Sequence, residues 1–131
     1  MNRLNRLAPV ALWIALCAAP FAAAPAHAQQ GAAFVDRTWY AAISALQCGR
    51  ITLDESVGFN FSFQDELPRL AKLPAYRGSD QRAAQAAERA TRDLATNKPA
   101  VCAALTEQDV ALVRDLESGR RSFSSPASNA R

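Results

Sequence analysis

Two cysteines place the strongest constraint on this chain. Cys48 and Cys102 stand 54 positions apart, while the third, Cys17, lies in an N-terminal segment with the marks of a secretory signal. That segment opens MNRLNRL, with Arg3 and Arg6 as its charges. It carries no charged residue from Leu7 to Ala24 and ends on Ala26-His27-Ala28 before Gln29. The arginines of such a segment stay on the cytoplasmic side, the apolar stretch inserts as a helix, and small residues at an A-x-A site fit the peptidase. Cleavage is expected after Ala28, by a Sec-type route. Pro9 and Pro20 interrupt the apolar stretch, which falls short of the roughly 20 residues of a membrane span. Leu16 stands where lipoprotein processing at Cys17 would need a small residue. The expected location is the periplasm or the exterior, with the membrane met only through the signal during export.

An exported chain left with Cys48 and Cys102 has one possible connectivity, and in an oxidising compartment the pair reads as a disulfide. Closing so long a loop restricts the unfolded chain by about 4 kcal/mol on the entropic account. That is a large share of the roughly 5–15 kcal/mol by which a domain is stable.

The same cleavage changes the chemistry on offer. It removes two arginines and no acid, so the 15 Lys+Arg of the whole chain become 13 against 12 Asp+Glu. A net charge near +1 carries no electrostatic footprint for nucleic acid or an anionic membrane. His27 and Met1 go too, and they are the only histidine and the only methionine. Without histidine there is no Ser-His-Asp or Cys-His catalysis and no His-ligated metal or haem. Two cysteines cannot build a four-thiolate cluster, and their spacing is not that of a redox C-x-x-C pair. The chain also has no Gly-rich phosphate loop, nucleophile elbow or calcium loop. No cofactor, metal ligand or catalytic set is expected, and the chain reads as a non-enzyme.

Carboxylates remain, in Asp54-Glu55 and Asp65-Glu66. Each lies 11 residues from its counterpart, which is roughly 16 Å on one continuous helix at about 1.5 Å per residue. Glycoside hydrolysis needs its two carboxyls within about 5–10 Å. Solvation and helix N-terminal charge are the expected roles.

Helical periodicity runs through the rest. Val35, Trp39, Ile43 and Leu46 form one stripe, which Gly49 can close as a C′ residue. Thr52 with Glu55 is a capping-box signature for a second helix whose apolar set is Leu53, Val57, Phe61, Leu67 and Leu70. Phe59, Phe61 and Phe63 also alternate as a strand would, but no second strand pattern exists to pair with them. Pro68 should kink or restart the run, and Pro74 should end it. Ser79 suits the N-cap of an Ala-rich helix from Asp80 to Thr96, with Glu88 and Arg92 spaced for an ion pair. Asn97-Lys98-Pro99 breaks the chain before a turn bearing Cys102. Thr106 with Asp109 opens a last helix to Ser118, closed by Gly119.

The expected fold is all-α: a small bundle of four to five short helices stapled by one disulfide. Residues 1–28 are the signal peptide, 29–119 the helical domain and 120–131 a disordered tail. Trp39 and the phenylalanines should supply most of the core.

These features favour a binding protein of the periplasm, such as an inhibitor, an immunity protein or an accessory subunit of an envelope complex. Its partner would be another envelope protein, and Ala- and Arg-rich usage suggests a bacterial source. Tyr40, Phe59, Phe63 and Tyr76 are the candidate binding patch. A carrier of a small apolar ligand, with a cavity lined by Phe59, Phe61 and Phe63, is an alternative. Another comes from Cys48, Leu53-Asp54-Glu55-Ser56 and Gly58-Phe59 with a second cysteine far downstream. Over about a dozen residues this resembles the periplasmic acid-stress chaperones of the HdeA type, small helical proteins with one disulfide. The spacing between the cysteines and the regions after them depart from that family, and its Lys-rich character is missing. The resemblance implies opening in acid, where protonated carboxylates leave the chain strongly cationic.

Overall fold

The computed structural model describes residues 26–125. The expected signal peptide, apart from its last three residues, lies outside the described residues, as do residues 126–131 of the expected tail. The described chain is helical throughout: α1 (Ala26–Gln47), α2 (Leu53–Leu70), α3 (Ser79–Ala104) and α4 (Glu107–Glu117), with a single 3-10 turn at Pro74–Tyr76. No strand occurs among the described residues, so the Phe59–Phe63 run is helix.

Local chemistry sets the ends of these elements. Thr52 Oγ1 accepts from the Glu55 N–H at 3.1 Å while the Glu55 carboxylate accepts from the Thr52 N–H at 3.4 Å. Thr106 and Asp109 form the same reciprocal pair at the start of α4, at 3.1 and 3.2 Å. Each box satisfies two of the donors that a helix start leaves without partners. Gly49 and Gly119 follow α1 and α4 with φ of +70° and +75°, a conformation that a Cβ disfavours. Pro68 lies inside α2, which ends two residues later. The expected break after Thr96 is a kink in α3, where Asn97 has φ −155° and ψ 74°. Asn97 Oδ1 accepts from the Ala100 N–H at 3.2 Å, so it caps the second half of α3 with Pro99 in its first turn. Ser79 differs from expectation. It opens α3 behind Gly78, is buried, and its hydroxyl donates to the Tyr76 carbonyl rather than capping the helix.

α1 packs chiefly on α3, and α2 on α4. Alanines fill much of the first interface: Ala41, Ala42 and Ala45 of α1 and Ala83, Ala86 and Ala90 of α3 are all buried. Three bridges fix the register. Asp36 meets Arg89, Tyr40 meets Asp93, and Cys48 is bonded to Cys102 with the Cα atoms 5.6 Å apart. The positions advance together along both helices, so α1 and α3 run parallel. The same holds for α2 and α4, where Glu55 pairs with Arg114 and Ser62 Oγ donates to the Glu117 carbonyl. The expected disulfide is present, and it ties the end of α1 to α3 just before α4.

Aromatic rings form the centre. Trp39 meets Phe59 and Phe63 edge to face at 5.2 and 5.3 Å, and Phe123 meets the same two at 5.5 and 5.2 Å. Two expectations need correction here. The first concerns α2, whose buried residues are Phe59, Phe63 and Leu70, while Leu53, Val57 and Phe61 face outward. Both sets repeat at helical spacing, and contact with Trp39 and Phe123 decides between them. The second concerns the tail. Residues 120–125 do not hang free: Phe123 is fully buried. Glu66 anchors this segment by accepting from the Ser122 hydroxyl at 2.7 Å and the Phe123 N–H at 3.3 Å. Burying one large ring outweighs the disorder that a Ser-rich composition suggests.

Candidate functional site

Asp36 and Tyr40 are one turn apart on α1, and Arg89 and Asp93 are one turn apart on α3. Because the helices run parallel, the pairs interlock. Arg89 donates to both oxygens of Asp36, at 2.6 and 3.2 Å, which is the bidentate geometry that guanidinium favours. The Tyr40 hydroxyl donates to Asp93 Oδ2 at 2.7 Å. Arg89 also lies over the Tyr40 ring, 5.1 Å from its centre, a cation–π arrangement. The bond to Asp36 pushes the Arg89 guanidinium above its ordinary pKa. Burial, then the bond to Asp93, push the Tyr40 phenol up as well.

This lattice forms one wall of a cleft of about 480 Å³ between α1, α3 and the start of α4. Its apolar surface is Ala41, Val101, Ala104 and Leu105, and Ser44 lines it one turn beyond Tyr40. The Ser44 hydroxyl is buried and has no hydrogen-bond partner. Arg37 and Asp109 complete the rim, 3.4 Å apart. Burial works against the Asp109 charge, but the bonds from Thr106, then Arg37, outweigh it and hold the carboxyl below its ordinary range. A shallower hollow of about 350 Å³ shares Tyr40, Asp93, Val101 and Ala104 and extends past Asn97. The Cys48–Cys102 bond lies in this part of the fold and ties the segment beyond the kink to the end of α1.

The candidate patch read from the sequence does not form. Phe59, Phe63 and Tyr76 are 1%, 1% and 4% exposed and belong to the core, where ring packing holds the two phenylalanines. Tyr40 alone lines the cleft. Phe59, Phe61 and Phe63, whose shared cavity would support a ligand carrier, do not line one cavity, since Phe61 faces away from the other two. Sequence reasoning missed Asp36, Ser44, Asp93 and Asp109. The available signal was the matched i,i+4 pairs Asp36/Tyr40 and Arg89/Asp93, legible only once α1 and α3 are known to face each other. The expected Glu88–Arg92 pair is not formed.

The outer face of α2 is a second surface. Leu53, Val57 and Phe61 are 66%, 44% and 63% exposed. At 3.6 residues per turn their direction lies roughly 140° from that of Phe59, Phe63 and Leu70. Asp54 and Asp65 lie along one side of the stripe, and neither makes an ion pair among the described residues. α2 is one continuous helix, so the carboxylate pairs at its two ends are held roughly 16 Å apart, beyond glycosidase reach. Among the described residues no helix is long and apolar enough to cross a membrane, and no cluster of His, Cys, Asp or Glu has the makings of a metal site. No protein family, no curated protein and no solved structure matches the chain.

Proposed function

We propose that this chain is an exported, non-enzymatic binding protein that holds another protein of a bacterial envelope through the outer face of α2, as an inhibitor, an immunity protein or an accessory subunit does. The observation that carries the reading is the exposed stripe of Leu53, Val57 and Phe61 on a helix whose opposite face is core. A surface helix with one buried face leaves its other face polar, and a contiguous exposed apolar patch marks an interaction site. Asp54 and Asp65 beside the stripe favour a partner with apolar side chains rimmed by Lys or Arg. Export rests on the basic, apolar and A-x-A segments before Gln29, and the disulfide agrees with an oxidising compartment such as the periplasm.

The test is capture from periplasmic extract at neutral pH, using the oxidised chain from Gln29 with a photo-crosslinker at position 61. One stoichiometric partner, crosslinked at 61, retained by Asp80→Asn and lost from Val57→Asp/Phe61→Asp, is the expected result. A partner retained by the α2 variant, or no partner at all, overturns the reading.

A further inference from the structure

The cleft between α1 and α3 carries an inference independent of the α2 face. Its rim holds three carboxylates, on Asp36, Asp93 and Asp109, against two guanidiniums, on Arg37 and Arg89. Arg89 neutralises Asp36 and Arg37 neutralises Asp109. Asp93 is left over. Its hydrogen bond comes from the neutral Tyr40 hydroxyl to Oδ2, and it makes no ion pair among the described residues. Asp93 is only half-exposed, so its charge is less screened than that of a surface carboxylate.

Apolar surface lies next to this charge, on Ala41, Val101 and Leu105. Ser44 follows, its hydroxyl buried and without a partner. Leaving such a group unsatisfied is costly, so the position favours an occupant that bonds it. The volume of about 480 Å³ falls within the roughly 300–1,000 Å³ of small-molecule sites. An excess carboxylate, an apolar wall and an unsatisfied hydroxyl together define a ligand with three parts.

We propose that this cleft binds a small primary amine with an apolar body and a polar atom at its far end. The ammonium pairs with Asp93 beside the Tyr40 ring, the body lies on Ala41, Val101 and Leu105, and the far polar atom bonds Ser44 Oγ. Simple anions of the same size are disfavoured, because the rim carries one more carboxylate than guanidinium.

The experiment is a titration of the oxidised chain, followed by amide chemical shifts and calorimetry, with 6-amino-1-hexanol, hexylamine, hexan-1-ol and hexanoate. Saturable shifts confined to the cleft are expected for both amines, with aminohexanol the tighter. Hexanoate should give none, and hexanol should bind at least about tenfold more weakly than aminohexanol, tenfold being 1.4 kcal/mol. Asp93→Asn keeps an acceptor for Tyr40 and should weaken both amines at least about tenfold. Ser44→Ala should remove the advantage of aminohexanol over hexylamine, and Asp80→Asn should change nothing. A further arm with Nα-acetyl-lysine amide separates a free amine from a lysine side chain as the source of the ammonium. Hexanoate binding as well as hexylamine, unchanged affinity in a folded Asp93→Asn chain, or no saturable binding by the wild type overturns the proposal. The shifts of Ser44, Tyr40 and Asp93 in the wild type test it without any variant.

Discussion

One phenylalanine outside the helices closes the core. Phe123 meets Phe34, Phe59 and Phe63 edge to face and is fully buried. Deleting such a ring removes its burial and leaves a cavity, and Phe123→Ala should lower stability by about 3–5 kcal/mol in urea denaturation. A loss under about 1 kcal/mol would mean that residues 120–125 are not part of the folded unit. Tyr76 makes the opposite case. Its hydroxyl is buried without a partner, so Tyr76→Phe removes an unsatisfied group and should leave stability unchanged or raise it by about 1 kcal/mol. The pH dependence has a definite sign. Burial, then the nearby Glu66 charge, push the Tyr76 phenol up from 10.0 to about 12. A pKa raised in the folded state gives stability that is complete below pH 10 and lost as pH rises toward 12. The alkaline limb of unfolding should therefore be shallower in Tyr76→Phe, measured by denaturation between pH 9 and 12. Glycine is required at position 31 for a different reason: a Cβ there would lie 2.5 Å from the Ala75 carbonyl oxygen.

At the scale of the helices, the caps are the features that sequence made most legible. Thr52-Glu55, Thr106-Asp109, Gly49 and Gly119 depend on neighbours within five residues, and each stands where the pattern placed it. Which face of α2 turns inward was not legible, because Leu53/Val57/Phe61 and Phe59/Phe63 both repeat at helical spacing. Only distant partners, Trp39 and Phe123, decide the matter. The fate of Phe123 was hidden for a related reason, since one apolar residue in a Ser-rich segment has no period to read. The Thr106 cap supports a further prediction. Thr106→Ala should cost about 1 kcal/mol at neutral pH. The Thr106 bonds help to hold the Asp109 carboxyl below its usual 3.8. A lowered carboxyl pKa gives stability that is present above the ordinary value and lost as pH falls through the folded one. The cost of Thr106→Ala should thus shrink below about pH 3.8, and Asp109→Asn should flatten the same acid limb. Arg37 adds to this effect after Thr106, and solvent screens its share because its side chain is 64% exposed. An unchanged cost at pH 7 and pH 2.5 would place the cap's contribution outside this titration.

For the whole molecule, the disulfide works on two levels that one pair of substitutions can separate. Removing the crosslink in Cys48→Ala/Cys102→Ala frees a loop of 54 residues, which on the entropic account lowers global stability by about 4 kcal/mol. Every amide that exchanges only through global unfolding should lose protection by the same factor. The second effect is local, and it follows from the kink. Before Asn97, α3 is held to α1 by Asp36–Arg89, by Tyr40–Asp93 and by buried alanines. Beyond Asn97, Lys98, Pro99, Ala100, Ala103 and Ala104 are all exposed, and Cys102 is the covalent tie. The Asn97 cap lets that half remain helical by itself, but a helix of about two turns is marginal without tertiary support. In the disulfide-free chain, amides of residues 100–105 should therefore exchange by local opening, with protection falling further than that of α3 before the kink. Val101, Ala104 and Leu105 form the apolar wall of the cleft, so amine binding should weaken while Tyr40–Asp93 stays in place. Hydrogen exchange on the oxidised and crosslink-free chains checks this directly. A uniform loss of protection across both halves of α3 would show that the bond acts only on the unfolded state and leaves the shape of the cleft to packing alone.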